Sequence, residues 1–137
     1  MNDSVFVDTS AWLALANKKD IWHEKARIIR DELIARKCKF FVTDYIIIEV
    51  GNSLSRASFY KTAVNLIDSI ILSSSVEIIW IDMGLFQHGW RYFKKYEDKD
   101  WSLTDCTSFY IMNQYNIKLA FTNDHHFEQA GFTRLLK

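Results

Sequence analysis

Four acidic residues stand where an apolar run gives way to a turn or to a helix start: Asp8 in VFVDTSAW, Glu49 in TDYIIIEVGNSL, Asp105 in WSLTDCTSFY and Asp124 in LAFTNDHHF. If the apolar runs form one parallel sheet, these carboxylates converge on a single edge, with no comparable set of basic residues beside them. Clustered carboxylates repel one another and lose hydration on burial, so they must take up protons or a divalent cation. A donor set made only of carboxylate oxygens suits Mg²⁺ or Mn²⁺ better than zinc.

Each acid also has a purely structural reading. Asp8 could cap the helix that follows it. Ser102 and Asp105 have the S-x-x-D spacing of a capping box, which is compatible with ligation because the first helical turn keeps a carboxylate ionised. Glu49 sits in an apolar stretch, where it needs a partner or a cation unless it turns to solvent at the helix end. Asp124 follows Thr122 and Asn123 and could be a turn or cap residue. His125 and His126 read as structural or surface residues rather than ligands.

The elements that would position these groups follow from periodicity. Ser4 to Val7 predicts a buried strand, followed by a helix over AWLALANK capped by Thr9 or Ser10. Trp22, Ala26, Ile29 and Leu33 repeat at helical spacing. Phe40 to Val42 is a second strand, and Thr43 or Asp44 caps a helix bearing Glu49. Residues 58–73 are helical and apolar on two sides: Phe59, Ala63, Leu66 and Ile70 on one, Tyr60, Val64, Ile67 and Ile71 on the other. Val76 to Ile81 is a third strand, followed by a helix through Phe86, Trp90 and Phe93. Ser102 to Tyr115 is a helix, Lys118 to Phe121 a fourth strand, and the tail GFTRLL a candidate fifth. Strands joined by long helical connections pair in parallel with right-handed crossovers. The expectation is an α/β three-layer sandwich with a central parallel sheet of four to five strands, whose ligands bind beyond the carboxyl ends of the strands.

Composition narrows the function classes. With 137 residues, 49% of them hydrophobic, the chain fits one domain over residues 1–137. An aromatic content of 15% is more than such a core easily hides, so part of it can face a partner. Net charge is zero, which excludes a global basic field and leaves only local clusters for polyanions: Lys18 with Lys19, Arg36 with Lys37 and Lys39, Arg91 with Lys94 and Lys95. Cys38 and Cys106 form neither a CxxC pair nor a zinc spacing, which fits a reducing cytoplasm. No basic, apolar leader opens the chain, and no apolar run reaches the ~18 residues of a membrane span. With four glycines and no G-x-G-x-x-G or P-loop pattern, a phosphate would have to be held by a metal or by side-chain cations.

Taken together, FVDTSAWLAL, the E-x-x-N-x-L stretch Glu49 to Leu54, SLTDCTS and AFTNDHHFEQAGF resemble the PIN-domain family, in particular the VapC-type toxin ribonucleases of bacterial toxin–antitoxin pairs. The resemblance implies that Asp8, Glu49, Asp105 and Asp124 fill the family's four acidic positions, with Thr9, Ser10 and Thr122 as hydroxyl supports. It implies an endoribonuclease that uses one or two Mg²⁺ or Mn²⁺ ions, held mainly by Asp8, Asp105 and Asp124 with Glu49 directly or through water. The products would carry 5′-phosphate and 3′-hydroxyl ends. It also implies a cognate antitoxin over the active site and, with the doubly apolar 58–73 helix, a homodimer. Cys106 departs from the smaller alanine usual after the third acid. The rival is a non-catalytic module binding RNA or protein. An aspartyl phosphatase is disfavoured, because Asp8 is followed by Thr9 and Ser10 rather than by a D-x-D pair.

Overall fold

β-Branched and aromatic runs at Ser4–Val7, Lys39–Thr43, Val76–Ile79, Leu119–Phe121 and Thr133–Arg134 form strands β1 to β5 in the computed structural model, which describes residues 3–137. Seven α-helices connect them among the described residues: α1 Thr9–Ala16, α2 His23–Ala35, α3 Asp44–Ser53, α4 Tyr60–Leu72, α5 Met83–Lys95, α6 Leu103–Gln114 and α7 His126–Gln129. The sheet order is β3-β2-β1-β4-β5 and every pairing is parallel. Helices α1 to α4 pack among themselves and α5 to α7 among themselves, the division that right-handed crossovers require when chain direction across the sheet reverses. This is the expected three-layer α/β/α sandwich, and the helices cover both faces of its sheet.

The reversal point fixes where chemistry can occur. From β1 the chain moves outward through β2 to β3, then returns to the other side of β1 as β4. The carboxyl ends of β1 and β4 therefore flank a crevice that no crossover covers. Their register sets Phe6 beside Ala120 and Val7 beside Phe121, so Asp8 and Thr122 emerge side by side, and the Asp8 amide donates to the Phe121 carbonyl at 3.1 Å. Beneath them, Phe6, Phe109 and Phe127 are fully buried, with Phe109 edge-on to Phe127 at 4.9 Å.

Several boundaries differ from expectation. Helix α1 starts at Thr9 with Asp8 in the cap position, so neither Thr9 nor Ser10 is the cap. Of the two caps expected for α3, Thr43 serves, accepting the Ile46 amide at 3.2 Å, which agrees with the expectation. β3 ends at Ile79 instead of Ile81, because the Ile81 amide leaves the ladder to donate to Asp44 Oδ1 at 2.9 Å. A 3₁₀ turn, Ala57–Phe59, precedes α4. On α4, Ala63, Leu66, Ile67 and Ile70 pack on the core, while Tyr60, Val64 and Ile71 remain exposed. No helix among the described residues is long and apolar enough to cross a membrane.

Helices α5 and α6 touch at a glycine. A Cβ on Gly89 would lie 2.5 Å from Thr107 Oγ1 and 3.2 Å from Thr107 Cα, so the helices approach only because that atom is missing. Overpacking of this kind costs about 1–3 kcal/mol, against ~1 kcal/mol that alanine regains as a helix former. Chemical denaturation of Gly89→Ala should show a lower midpoint than the wild type, and adding Thr107→Ala should recover part of the loss. An unchanged midpoint in Gly89→Ala would mean that α5 and α6 yield freely at this contact.

Candidate functional site

Asp8 leaves β1 into the crevice and is only 7% exposed. Although it occupies the cap position of α1, its side chain caps nothing. Instead Asp8 Oδ2 accepts the Thr122 hydroxyl at 2.9 Å, across the β1–β4 seam. Thr122 has one proton and gives it to Asp8, so the 3.1 Å contact between Ser10 Oγ and Thr122 Oγ1 must use the proton of Ser10. Ser10 in turn accepts the Asn123 amide at 3.1 Å, and Thr122 accepts the Asp124 amide at 3.1 Å. Every proton in this chain points toward the Asp8 carboxylate, an arrangement that favours its ionised form.

Burial opposes that preference. It pushes the Asp8 carboxyl from its ordinary 3.8 up to about 7; the Thr122 hydroxyl and the Thr9 amide pull down, and the charges of Asp105 and Glu49 push further up. Asp105 is shifted upward too, first by burial and then by Asp124, against the Ser102 amide and His126. The four acids thus act on one another through Asp8–Glu49, Asp8–Asp105 and Asp105–Asp124. No Lys or Arg forms an ion pair with any of them among the described residues; the contacts recorded are with His125 and His126.

The other three acids keep structural bonds as well. Asp105 completes the capping box of α6, accepting the Ser102 amide at 3.2 Å while Ser102 accepts the Asp105 amide at 3.0 Å. Asp124 Oδ1 accepts the His126 amide at 2.9 Å, which starts α7. Glu49 is solvent-exposed on α3, with its Oε1 held by the Thr9 hydroxyl. Thr9, Ser10 and Thr122 therefore support Glu49, Thr122 and Asp8 respectively. Cys106, beside Asp105, is buried, and its thiol is pushed up to about 11 by burial and then by the Asp105 charge. It remains a neutral thiol and fills space beneath α6.

The sequence reading set His126 aside, and the structure brings it into the cluster. Its Nδ1 lies 3.3 Å from both Asp105 Oδ2 and Asp124 Oδ1, with the side chain 20% exposed. His125, by contrast, is exposed. The spacing Asp124-x-His126 was the available signal, because an Asx turn delivers its second following residue into the first helical turn.

Two donor sets are present. Ligand atoms of Asp124, His125 and His126 all lie within 4.8 Å of one another, while the four carboxylates are spread more widely around the crevice. The tighter set owes its closeness to adjacency in the chain. The carboxylate set fits a hard divalent cation better: it is oxygen-only, Asp8 is buried, its bonded protons favour the anion, and its neighbours are further anions.

Comparison with known proteins agrees with this architecture. The pattern of the family described as PIN domain matches residues 5–133. The chain is 30% identical over 132 residues to the protein named 23S rRNA-specific endonuclease VapC20 of Mycobacterium tuberculosis, covering 96% of this chain and 97% of that one. A crystal structure described as Mycobacterium tuberculosis VapC20, sarcin–ricin loop cleaving toxin, superposes with a TM-score of 0.82 at 29% identity, over 94% of this chain and 96% of that one. The crystal structure described as VapBC2 from Rickettsia felis bound to a DNA fragment from their promoter has the same fold, with a TM-score of 0.69 at 15% identity over 96% of each chain. With its β1–β4 crevice ringed by four acids, this chain belongs to the PIN-domain family.

Proposed function

We propose that the chain is a metal-dependent endoribonuclease, the toxin of a type II toxin–antitoxin pair, acting in the cytoplasm on RNA phosphodiester bonds. The observation that carries the reading is Asp8: a carboxylate buried at the switch point, bonded as an anion and surrounded by Glu49, Asp105 and Asp124 rather than by lysine or arginine. Asp8, Asp105 and Asp124 would hold Mg²⁺ or Mn²⁺, with Glu49 directly or through water. When bound, such an ion neutralises charge on the phosphate and lowers the pKa of a water that it holds. Thr122 fixes one oxygen of Asp8, Thr9 fixes Glu49, and His126 orients Asp105 and Asp124. In this reading His126 is a positioning residue and no side-chain general base is needed. Attack by water in line with the leaving 3′-oxygen gives 5′-phosphate and 3′-hydroxyl ends.

Because the relative VapC20 is named for 23S rRNA, ribosomal RNA is the first substrate to test. The partner would be a cognate antitoxin that presents a basic side chain to the acids. A second copy of the chain would cover the exposed Tyr60, Val64 and Ile71 of α4 and give a homodimer.

Purified protein incubated with total RNA, with and without Mg²⁺ or Mn²⁺, should yield new 5′-phosphate ends only with the cation. Asp8→Asn keeps shape and the Thr122 bond but removes the charge, and should leave no detectable turnover with the fold intact by circular dichroism. Wild-type turnover in this variant would refute the assignment. Thr122→Val, which removes the proton donated to Asp8, should lower metal affinity or rate by roughly 10–100-fold, as loss of a ligand-orienting group does.

The raised pKa also sets a pH dependence for chelated protein. Below about pH 4 Asp8 is protonated in both folded and unfolded chains and costs nothing. Between about 4 and 7 the unfolded chain loses the proton while the folded chain keeps it, so stability falls as pH rises. Above 7 the full penalty stands, on the order of 4 kcal/mol. Thermal melts in EDTA should therefore show Asp8→Asn gaining on the wild type from pH 4 to 7, and Mn²⁺ should close the gap. Parallel melting curves for the two proteins would contradict the burial penalty.

A further inference from the structure

Helix α5 shows two faces. Its Leu85, Tyr92 and Tyr96 pack against the core, and Gly89 meets α6. On the other side Trp90 and Phe93 are left 41% and 38% exposed, outside the core, with their rings stacked at 5.6 Å and an interplanar angle of 14°. Lys94 Nζ stands 6.0 Å from the Trp90 ring centre, while Arg91 is bonded to His88 at 3.3 Å and Lys95 Nζ lies 5.4 Å from the Tyr96 ring centre. None of these three cations forms an ion pair among the described residues. In the Arg36, Lys37 and Lys39 cluster, by contrast, Arg36 and Lys39 are taken up by Asp3 and Glu77.

The rings border a groove of about 530 Å³ lined by Trp90, Phe93, Lys94, Tyr96, Lys99 and Trp101, with Glu97 also on its wall. Lys99 is taken up by Asp98 at 3.5 Å, which leaves Lys94 as the groove's cation without an ion pair among the described residues. The Trp101 end of the groove immediately precedes helix α6, whose first turn carries Asp105. Helices α5 and α6 run antiparallel, since His88 stacks on Tyr110 at 4.4 Å while Tyr96 meets Trp101 at 4.9 Å. The carboxyl end of α5 therefore lies against the first turn of α6. Trp101, at that end of the groove, directly precedes Ser102, whose amide is bonded to Asp105, and its Nε1 donates to Gln129 of α7 at 2.9 Å.

We propose that Trp90 and Phe93, with Lys94 beside them, form a platform on which an unpaired base of single-stranded RNA stacks as its backbone passes toward Asp105. An exposed, parallel aromatic pair presents a π-face that a free base can cover, and a duplex has no such face to offer. Lys94, which lines the groove without an ion pair among the described residues, matches a phosphate of the same strand, which favours nucleic acid over an apolar protein segment. The inference rests on the ribonuclease reading and adds to it the place, on helix α5, where an unpaired base would be held.

The test uses Asp8→Asn as a non-cleaving background and measures anisotropy of a fluorescein-labelled purine-rich oligoribonucleotide, single-stranded or annealed to its complement. The background should bind the single strand in preference to the duplex. Trp90→Ala with Phe93→Ala should weaken single-strand binding by about ten-fold or more, and Trp90→Phe should restore most of the loss found in Trp90→Ala. Lys94→Ala should instead lower the salt slope by about one. In the cleaving protein the paired alanine variant should raise KM with kcat little changed. Equal binding by the background and the alanine variant overturns the platform while leaving the ribonuclease reading intact, as does a change in sedimentation with RNA binding unaltered, which would mark a protein interface. Single-strand binding that depends on Trp90 in a wild-type protein with no cleavage supports the platform and overturns the ribonuclease reading instead.

Discussion

The arrangement depends on one conflict: a carboxylate is buried at the end of β1, and every hydroxyl proton aimed at it asks for a negative charge. Burial and two neighbouring anions ask for the opposite, and the carboxyl stands near neutrality as a result. The protein does not remove the conflict with an arginine or a lysine. It keeps the charge in place with Thr122 and Ser10 and surrounds it with further acids, the geometry that a hard divalent cation relieves.

That conflict can be sustained because the framework beneath it is rigid. Asp8 is one residue beyond a strand paired on both sides, and Thr122 is one residue beyond its neighbour, so their separation is set by the ladder rather than by loop conformation. Asp105 is fixed by a reciprocal cap at the start of α6, and α6 is fixed by an aromatic cluster in which Phe109 meets Trp101 at 5.0 Å and Phe127 at 4.9 Å. The same cluster holds the carboxyl end of α5, where Tyr96 meets Trp101 at 4.9 Å. The acidic crevice and the exposed aromatic face are therefore held by one set of core contacts.

Structural and chemical roles are not alternatives at these positions. Asp105 caps its helix and faces Asp124; Asp124 opens α7 and faces Asp105 through His126. A helix N-terminus stabilises a carboxylate by its dipole and leaves one edge of the group available, so the same residue can end a loop and face a crevice. Asp8 is the exception. It stands in the cap position without a cap bond, which leaves its side chain committed to Thr122 and the site.

The order of strands and helices was legible in the sequence because apolar runs of four or five residues alternate with 3.6-residue periodicity, and parallel pairing follows from the length of the connections. The positions of Asp8, Asp105 and Asp124 at element ends were legible for the same reason, whereas Glu49 lies within α3 rather than at an end of it. Boundaries at Ile79 and at Thr9 were not, since they turn on where a backbone amide finds a partner outside its own element. Which hydroxyl serves which acid, and the place of His126 between Asp105 and Asp124, depend on contacts across as many as 114 residues of chain. Local pattern contains no information about such contacts. The exposure of Trp90 and Phe93 was likewise decided only by packing: periodicity picks out an amphipathic helix through Phe86, Trp90 and Phe93, whereas the core takes Leu85, Tyr92 and Tyr96.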